Sequence, residues 1–208
     1  MNMRETAATF TPSRFMKVVA GLAVILALQG CGYLHHQGTP HPISITKADA
    51  ERVHPRSQYV RQHRHLTGDE SARINERLGQ AVTHPGELIA YYAVTPHPKR
   101  GTGSSGHLFM ETVEGPQALV QFIISVHSGK VQQVSVRNGK GADGMVPEFL
   151  GQFGGRSLSD SFEVGSSPEV FHKIPPPLIP LAGNVEFSGR IAEAVKKVLV
   201  LDEVLVDK

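Results

Sequence analysis

The sequence predicts an α+β fold, in which one antiparallel sheet and its packed helices form a single domain. Residues 118–136 alternate apolar and polar side chains on either side of Ser128-Gly129, a pattern typical of a β-hairpin. Residues 187–199 place apolar side chains at helical spacing, which is typical of a helix with one buried face. The order of elements (a helix, several antiparallel strands, a loop and further helix) is that of an α+β protein.

The first predicted helix follows Thr67. Thr67 and Glu70 form a capping-box pattern, and apolar residues continue at helical spacing until Pro85-Gly86 ends the segment. Strands are predicted over residues 88–94 and 107–113, with a loop rich in glycine and proline between them. The hairpin side chains expected to share one buried face are Val120, Phe122, Ile124, Val126, Val134 and Val136.

The second half of the chain begins with a glycine-rich loop after the hairpin. A short helix is predicted within residues 146–158. The prolines of residues 173–180 predict a stiff, extended connector that cannot be a central strand. The helix over residues 187–199 then completes the domain.

The N-terminus has the pattern of a secretion signal. Three basic residues precede an apolar run over residues 18–28, which is long enough for a signal sequence and too short to cross a bilayer comfortably. The run ends at Leu28-Gln29-Gly30-Cys31, which resembles the lipobox of bacterial lipoproteins, whose cysteine is acylated and becomes the first mature residue. We therefore predict a lipoprotein signal peptide over residues 1–30 and a lipid anchor at Cys31. The alternative is a buried apolar helix with a chance cysteine.

Cys31 is the only cysteine in the chain. A single cysteine excludes an internal disulfide, a C-x-x-C-H haem attachment and a cysteine-ligated cluster or zinc site. Several acyl chains at this residue would hold the protein firmly on a membrane. Gly32 stands where an aspartate would be the usual retention signal for the inner membrane, so the resemblance implies the periplasmic face of the outer membrane in a Gram-negative cell.

The charge balance excludes nucleic acid as a partner. The chain has 21 basic and 19 acidic residues, and removing the leader takes away three of the former and one of the latter. The mature chain is therefore close to neutral, and it has no tryptophan and few other aromatic residues. Both features argue against nucleic-acid binding.

The segment after the leader is predicted to be a flexible stalk over residues 31–57, since it is rich in histidine and proline and has no apolar periodicity. The folded domain is expected over residues 58–208. The pairs His35–His36 and His63–His65 lack the spacing of a helical metal motif, so we predict no metal site and interpret them as solvated histidines. Opportunistic binding of zinc or nickel by the stalk remains open.

Four segments in this order resemble the FMN-binding domain family. They are VEGPQALVQFIISVHSGKVQQVSV, a glycine-rich loop, PEFLGQFGGRSLSD and AGNVEFSGRIAEAV, and the helix beginning LTGDES resembles the one that precedes this domain in some members. The family includes flavinylated subunits of sodium-pumping NADH:quinone reductase and of the related ferredoxin-linked complex. The resemblance covers roughly residues 66–199 and implies an FMN site, electron transfer and envelope redox proteins as partners.

In that family, a Gly-Ala-Thr-x-Ser-Ser segment opens a helix, and FMN is attached through its phosphate to the threonine. Laid over this chain, the glycine falls on Gly183, the alanine on Asn184 and the threonine on Val185. Valine has no hydroxyl, and Ser188 follows three residues later, nearly a full turn away, pointing elsewhere. The comparison implies FMN binding through Gly183, Asn184, Val185 and Ser188 without a covalent bond.

The glycine-rich loop is the second part of the flavin site that the resemblance implies. In the family it carries an acidic residue, a small residue and glycines that form a wall beside the flavin. Here Gly141, Asp143 and Gly144 occupy the loop, which keeps its backbone freedom and part of its acidic pattern.

Three functions are therefore considered. The chain is expected to be an electron carrier with non-covalently bound FMN, or alternatively a flavin-free scaffold or accessory subunit of an envelope redox complex. An enzyme with its own substrate is the third, and no nucleophile–base pattern supports it. His107 and His127 are single strand histidines, which we interpret as structural.

Overall fold

The computed structural model describes residues 45–99, 103–138, 147–165 and 176–206. The predicted leader, Cys31 and the first part of the predicted stalk lie outside these residues. Within them, the helices are α1 (Lys47–Val53), α2 (Gly68–Leu78), α3 (Pro147–Gly151) and α4 (Val185–Leu205). The strands are β1 (Ser57–His65), β2 (Leu88–Pro96), β3 (Gly106–Glu114), β4 (Leu119–His127) and β5 (Lys130–Asn138).

The five strands form one antiparallel sheet in the order β1-β2-β3-β4-β5, which confirms the predicted α+β fold. The predicted hairpin is β4 and β5. Its turn has positive φ at both Ser128 (51°) and Gly129 (69°), as a two-residue turn between twisted strands requires. Pairing is extensive within β1–β2 and β3–β4, but β2 and β3 pair only through residues 92–94 and 106–108.

The α4 face of the sheet carries the larger core. Phe122, Ile124 and Val126 of β4 point to this face and are fully buried, and the Phe122 ring lies 6.5 Å from the ring of Phe187 on α4. The prediction that the C-terminal helix packs on the hairpin is therefore confirmed. Helix α2 also packs on α4 and begins with the predicted capping box of Thr67 and Glu70.

The opposite face carries a smaller core under α1. Ile45, Ala50 and Val53 are buried there against Val94, Leu108 and Ile123 of the sheet. The prediction of a flexible stalk is therefore wrong for residues 45–57, which form α1 and the start of β1. Thr46 and Asp49 form a capping box that starts α1, and three apolar side chains within nine residues suffice to bury one side of this short helix.

Strand β1 was also not predicted. It is mostly polar, and its burial comes from only a few positions such as Ser57 and the half-buried Tyr59. The predicted helix within residues 146–158 is confirmed as a single turn, α3, which is followed by turns up to Arg156. The buried Arg156 guanidinium donates to the carbonyl oxygens of Ser161 and Pro176, and so ties this region to the segment that leads into α4.

Candidate functional site

The start of α4 is where the sequence places the candidate site. Gly183 has a φ of 73°, a left-handed conformation that favours glycine and reverses the chain just before the helix. Asn184 is the N-cap residue, and its side chain makes no capping hydrogen bond. The first N–H groups of a helix have no partner inside the helix, so this end of α4 carries partial positive charge with no side chain to cap it.

Val185, the residue on which the sequence comparison places the threonine of FMN-binding domains, is 48% exposed. It lies at the surface, where a phosphate could approach, but its side chain offers no oxygen to bond. A covalent flavin ester has no attachment atom at this residue.

Ser188, another predicted site residue, lies beneath the surface of the site. It is fully buried, and its hydroxyl accepts a hydrogen bond from the Leu181 N–H at 2.9 Å. The same hydroxyl donates to the carbonyl oxygen of Asn184 at 2.8 Å. Ser188 therefore holds the turn before α4 closed and presents no oxygen to a ligand at the surface.

An open depression of about 320 Å³ lies over the start of α4. Its lining comes from two parts of the chain, the β3–β4 turn and the first turns of α4: Glu114, Gly115, Pro116, Gly183, Asn184, Val185, Glu186, Phe187 and Arg190. The turn itself is tight, because a Cβ on Gly115 would lie 2.8 Å from the carbonyl oxygen of Ala118, and the same Cβ would be in ordinary contact with the Phe187 ring of α4 at 3.5 Å. Of the predicted site residues, Gly183, Asn184 and Val185 are thus brought together.

Two carboxylates and one guanidinium set the charge of this depression. Arg190 Nη2 lies 2.6 Å from Glu186 Oε1, while Arg190 Nη1 donates to the backbone oxygen of Glu114 at 3.0 Å and lies 3.4 Å from its carboxylate. The single positive charge is therefore shared between two negative ones. A phosphate dianion entering the depression would meet more negative than positive side-chain charge.

The residues that line the depression do not fit a covalently bound FMN, and their charge opposes a phosphate held without a covalent bond. The predicted loop residues Gly141, Asp143 and Gly144 lie outside the described residues. The fit at this depression therefore depends on the start of α4 and on the β3–β4 turn.

Glu114, Pro116 and Arg190 were not identified as site residues from the sequence. Arg190 follows Glu186 by four residues, and that spacing alone could have predicted their ion pair on a helix. Glu114 ends β3 and Pro116 lies in the β3–β4 turn, about seventy residues from α4 along the chain. Only the packing of the β3–β4 turn on α4 brings them to the site.

Each of the two strand histidines contacts a polar side chain from another part of the chain. His107 Nδ1 lies 2.8 Å from Asp202 Oδ1 on α4, and its ring meets Tyr91 edge-on. His127 Nδ1 lies 3.3 Å from the hydroxyl of Ser105. In residues 45–99, 103–138, 147–165 and 176–206, no group of three or more acidic, histidine or cysteine side chains is arranged to hold a metal ion.

No protein-family model matches the chain, and no curated protein matches it significantly. Among the helices that the structure describes, none has the length and apolar character needed to cross a bilayer.

Proposed function

We propose that this chain is a lipid-anchored protein of the bacterial cell envelope, whose domain is related to FMN-binding domains and serves as a flavin-free accessory subunit of an envelope redox complex. One observation supports the flavin-free function most directly. The depression at the start of α4 has a valine where an ester oxygen is needed, and two carboxylates share one guanidinium around it.

A second candidate, electron transfer by non-covalently bound FMN, is favoured by a different observation. The N-cap residue Asn184 makes no side-chain capping bond, so its side chain does not cover the first N–H groups of α4, and helix N-termini of this kind commonly bind anions. In that case the backbone around Gly183, Asn184 and Val185 would hold the phosphate, and the loop with Gly141, Asp143 and Gly144 would lie beside the flavin, which would supply the redox chemistry.

The flavin content of the purified full-length protein separates these two functions. We expect no flavin absorbance and no mass increase on the denatured protein. Flavin that is released when the protein is denatured would establish the non-covalent carrier. An FMN-sized increase in intact mass after denaturation would contradict both proposals, since it requires covalent attachment.

The variant Val185→Thr, co-expressed with a flavin transferase, tests whether only the attachment atom is missing. We expect no adduct, because the rim carboxylates of Glu114 and Glu186 remain. The variant that combines Val185→Thr with Glu114→Gln and Glu186→Gln is the matched control, since it restores the oxygen and removes both negative charges. An adduct on the single variant would show that the rim charges are no obstacle and would weaken the flavin-free proposal.

The lipid anchor is tested separately at Cys31. Replacing Cys31 with Ser removes the sulfur that is acylated, so the variant should leave the membrane fraction or retain its leader. A wild-type protein found in the cytoplasm with residues 1–30 intact would overturn the proposed location, whatever the flavin content.

A further inference from the structure

The outer edge of β1 is the longest regular backbone surface in the described sheet that has no strand beside it. Strand β1 is at one end of the strand order and pairs with β2 at all nine of its positions, from Ser57 opposite Pro96 to His65 opposite Leu88. Nine residues exceed the usual strand length of about five or six. Among the residues that the structure describes, none makes a backbone hydrogen bond to this outer edge, so the described sheet ends in a long edge whose backbone groups can pair.

The register shows which of these groups point outward. The Leu66 N–H donates to the Glu87 carbonyl at 2.9 Å, so these two residues form a hydrogen-bonded pair. In an antiparallel ladder, hydrogen-bonded and non-hydrogen-bonded pairs alternate along the strands. By this alternation Ser57 and Pro96 form a non-hydrogen-bonded pair, which agrees with the absence of an N–H on proline. The residues whose N–H and C=O groups then face away from β2 are Tyr59, Arg61, His63 and His65.

The two edges of the sheet differ in regularity. At the opposite edge, the β4–β5 pairing is interrupted twice, between Gln121 and Phe122 and between Ser125 and Val126. Such bulges twist an edge strand and hinder the addition of another strand. The β1–β2 pairing has no interruption, so β1 has no bulge that would hinder the addition of another strand.

The charge of the β1 edge favours one kind of partner. Neither β1 nor β2 contains an acidic residue, and Arg61 is exposed on the same side of the strand as His63 and His65. Arg64 does not contribute, because its guanidinium binds Glu70 and the carbonyl oxygen of Leu205. A second copy of β1 would place like charges opposite one another, which is unfavourable across a strand pair.

We propose that β1 is a docking site for an acidic, extended segment of a partner protein, which adds as a sixth strand beside Tyr59–His65. Main-chain hydrogen bonds to the outward groups supply affinity, and carboxylates of the added strand meet Arg61. Val60, which is 53% exposed, offers an apolar contact on the other side of the strand. This proposal concerns a different surface from the start of α4 and stands whether or not flavin binds there.

The test uses full-length protein in detergent and a fluorescein-labelled nine-residue peptide of alternating glutamate and valine. Fluorescence anisotropy should show saturable binding that weakens as salt is added. Arg61→Glu should weaken binding by about tenfold or more, because it places a negative charge against the acidic strand. Arg73→Glu is the matched control, since Arg73 is exposed on α2 and the variant makes the same charge change away from the edge.

His63→Pro separates strand addition from simple charge attraction. The His63 N–H points outward, so proline there removes a donor to the peptide and leaves the β1–β2 bonds in place. We expect binding to be lost in this variant and with a backbone-N-methylated form of the peptide, while circular dichroism shows a folded domain. Equal binding of the N-methylated peptide, equal loss with Arg73→Glu, or no binding to the wild type would each overturn the proposal.

Discussion

The two faces of the sheet are covered in different ways. The α4 face lies under a helix of 21 residues and carries a large apolar core that also includes residues of α2 and α3. The α1 face lies under a helix of seven residues, and six buried apolar residues make up its core in the part of the chain that the structure describes. A short helix buries little surface, so its attachment needs additional contacts.

Those additional contacts are polar. His54 Nε2 lies 2.6 Å from the hydroxyl of Ser125, and both side chains are buried under α1. Asp49 forms an ion pair with Arg137 of β5 at 2.9 Å, and the Tyr59 hydroxyl donates to the carbonyl oxygen of His54. The α4 face is therefore held mainly by buried apolar area, while the α1 face also depends on a few hydrogen bonds and an ion pair. The two kinds of contact respond differently to mutation and to pH.

Adjacent residues of β4 test this difference with the largest expected effect. Phe122 and Ile123 are both fully buried, but Phe122 faces α4 and Ile123 faces α1. Phe122→Ala should lower the free energy of unfolding by about 3–5 kcal/mol and Ile123→Ala by about 2–5 kcal/mol, measured by denaturant unfolding. Leu119→Ala is the control, since Leu119 is 65% exposed on the same strand and its truncation should cost less than about 0.5 kcal/mol.

Hydrogen exchange distinguishes the two variants beyond their overall stability. Ile123→Ala should release α1 first, so that its amides exchange faster while those of α4 stay protected. Phe122→Ala should accelerate exchange in both helices. If Ile123→Ala exposed the α4 amides as readily as those of α1, the two faces would form one cooperative unit and would not open separately.

The same contrast explains what could be predicted from the sequence. The β4–β5 hairpin and α4 follow from apolar periodicity, because their buried side chains recur at regular spacing. Residues 45–57 have no such regularity in the sequence. Their helix could not be predicted because its buried side chains pack on Ile123 and Leu108, which are distant along the chain. At the candidate site, the turn at Gly183 could be located from the sequence, whereas Glu114 reaches it only through the packing of a distant turn.

The α1 face should weaken in mild acid. Burial lowers the pKa of His54 below its ordinary value of 6.5, so the unfolded chain binds this proton more tightly than the folded one. The stability that His54 contributes is present above pH 6.5 and is lost as the pH falls from there towards the folded pKa, by at most about 1.4 kcal/mol per pH unit. His54→Gln should remove this loss, so its stability relative to the wild type should rise as the pH falls.

The α4 face should respond in the opposite direction through Glu111. Burial raises the pKa of the Glu111 carboxyl above 4.5, and the Lys197 ammonium, 3.0 Å away, only partly offsets this. The associated stability is present below pH 4.5 and is lost as the pH rises through the folded pKa. Relative to the wild type, Glu111→Gln should therefore gain stability as the pH rises, measured by urea unfolding at several pH values. A difference from the wild type that does not vary with pH would contradict this assignment.

The smallest effect is expected at the N-caps of the two helices that cover the faces. At α1, Thr46 accepts a hydrogen bond from the Asp49 N–H, and the Asp49 carboxylate accepts one from the Thr46 N–H. Thr46→Ala removes the side-chain acceptor and should cost about 0.5–2 kcal/mol, with faster exchange of the α1 amides. At α4, Asn184→Ala should cost less than Thr46→Ala, because the Asn184 side chain makes no capping bond to lose.

This last pair also bears on the candidate site. If Asn184→Ala destabilised the domain as much as Thr46→Ala, the Asn184 side chain would have a partner in solution, and the start of α4 would be capped as fully as that of α1. The first N–H groups of α4 would then be capped by this side chain, which would remove the observation that favours non-covalent FMN. A negligible cost would leave the first N–H groups of α4 without a side-chain cap, and the carboxylates of Glu114 and Glu186 would then be the main obstacle to a flavin phosphate at this end of α4.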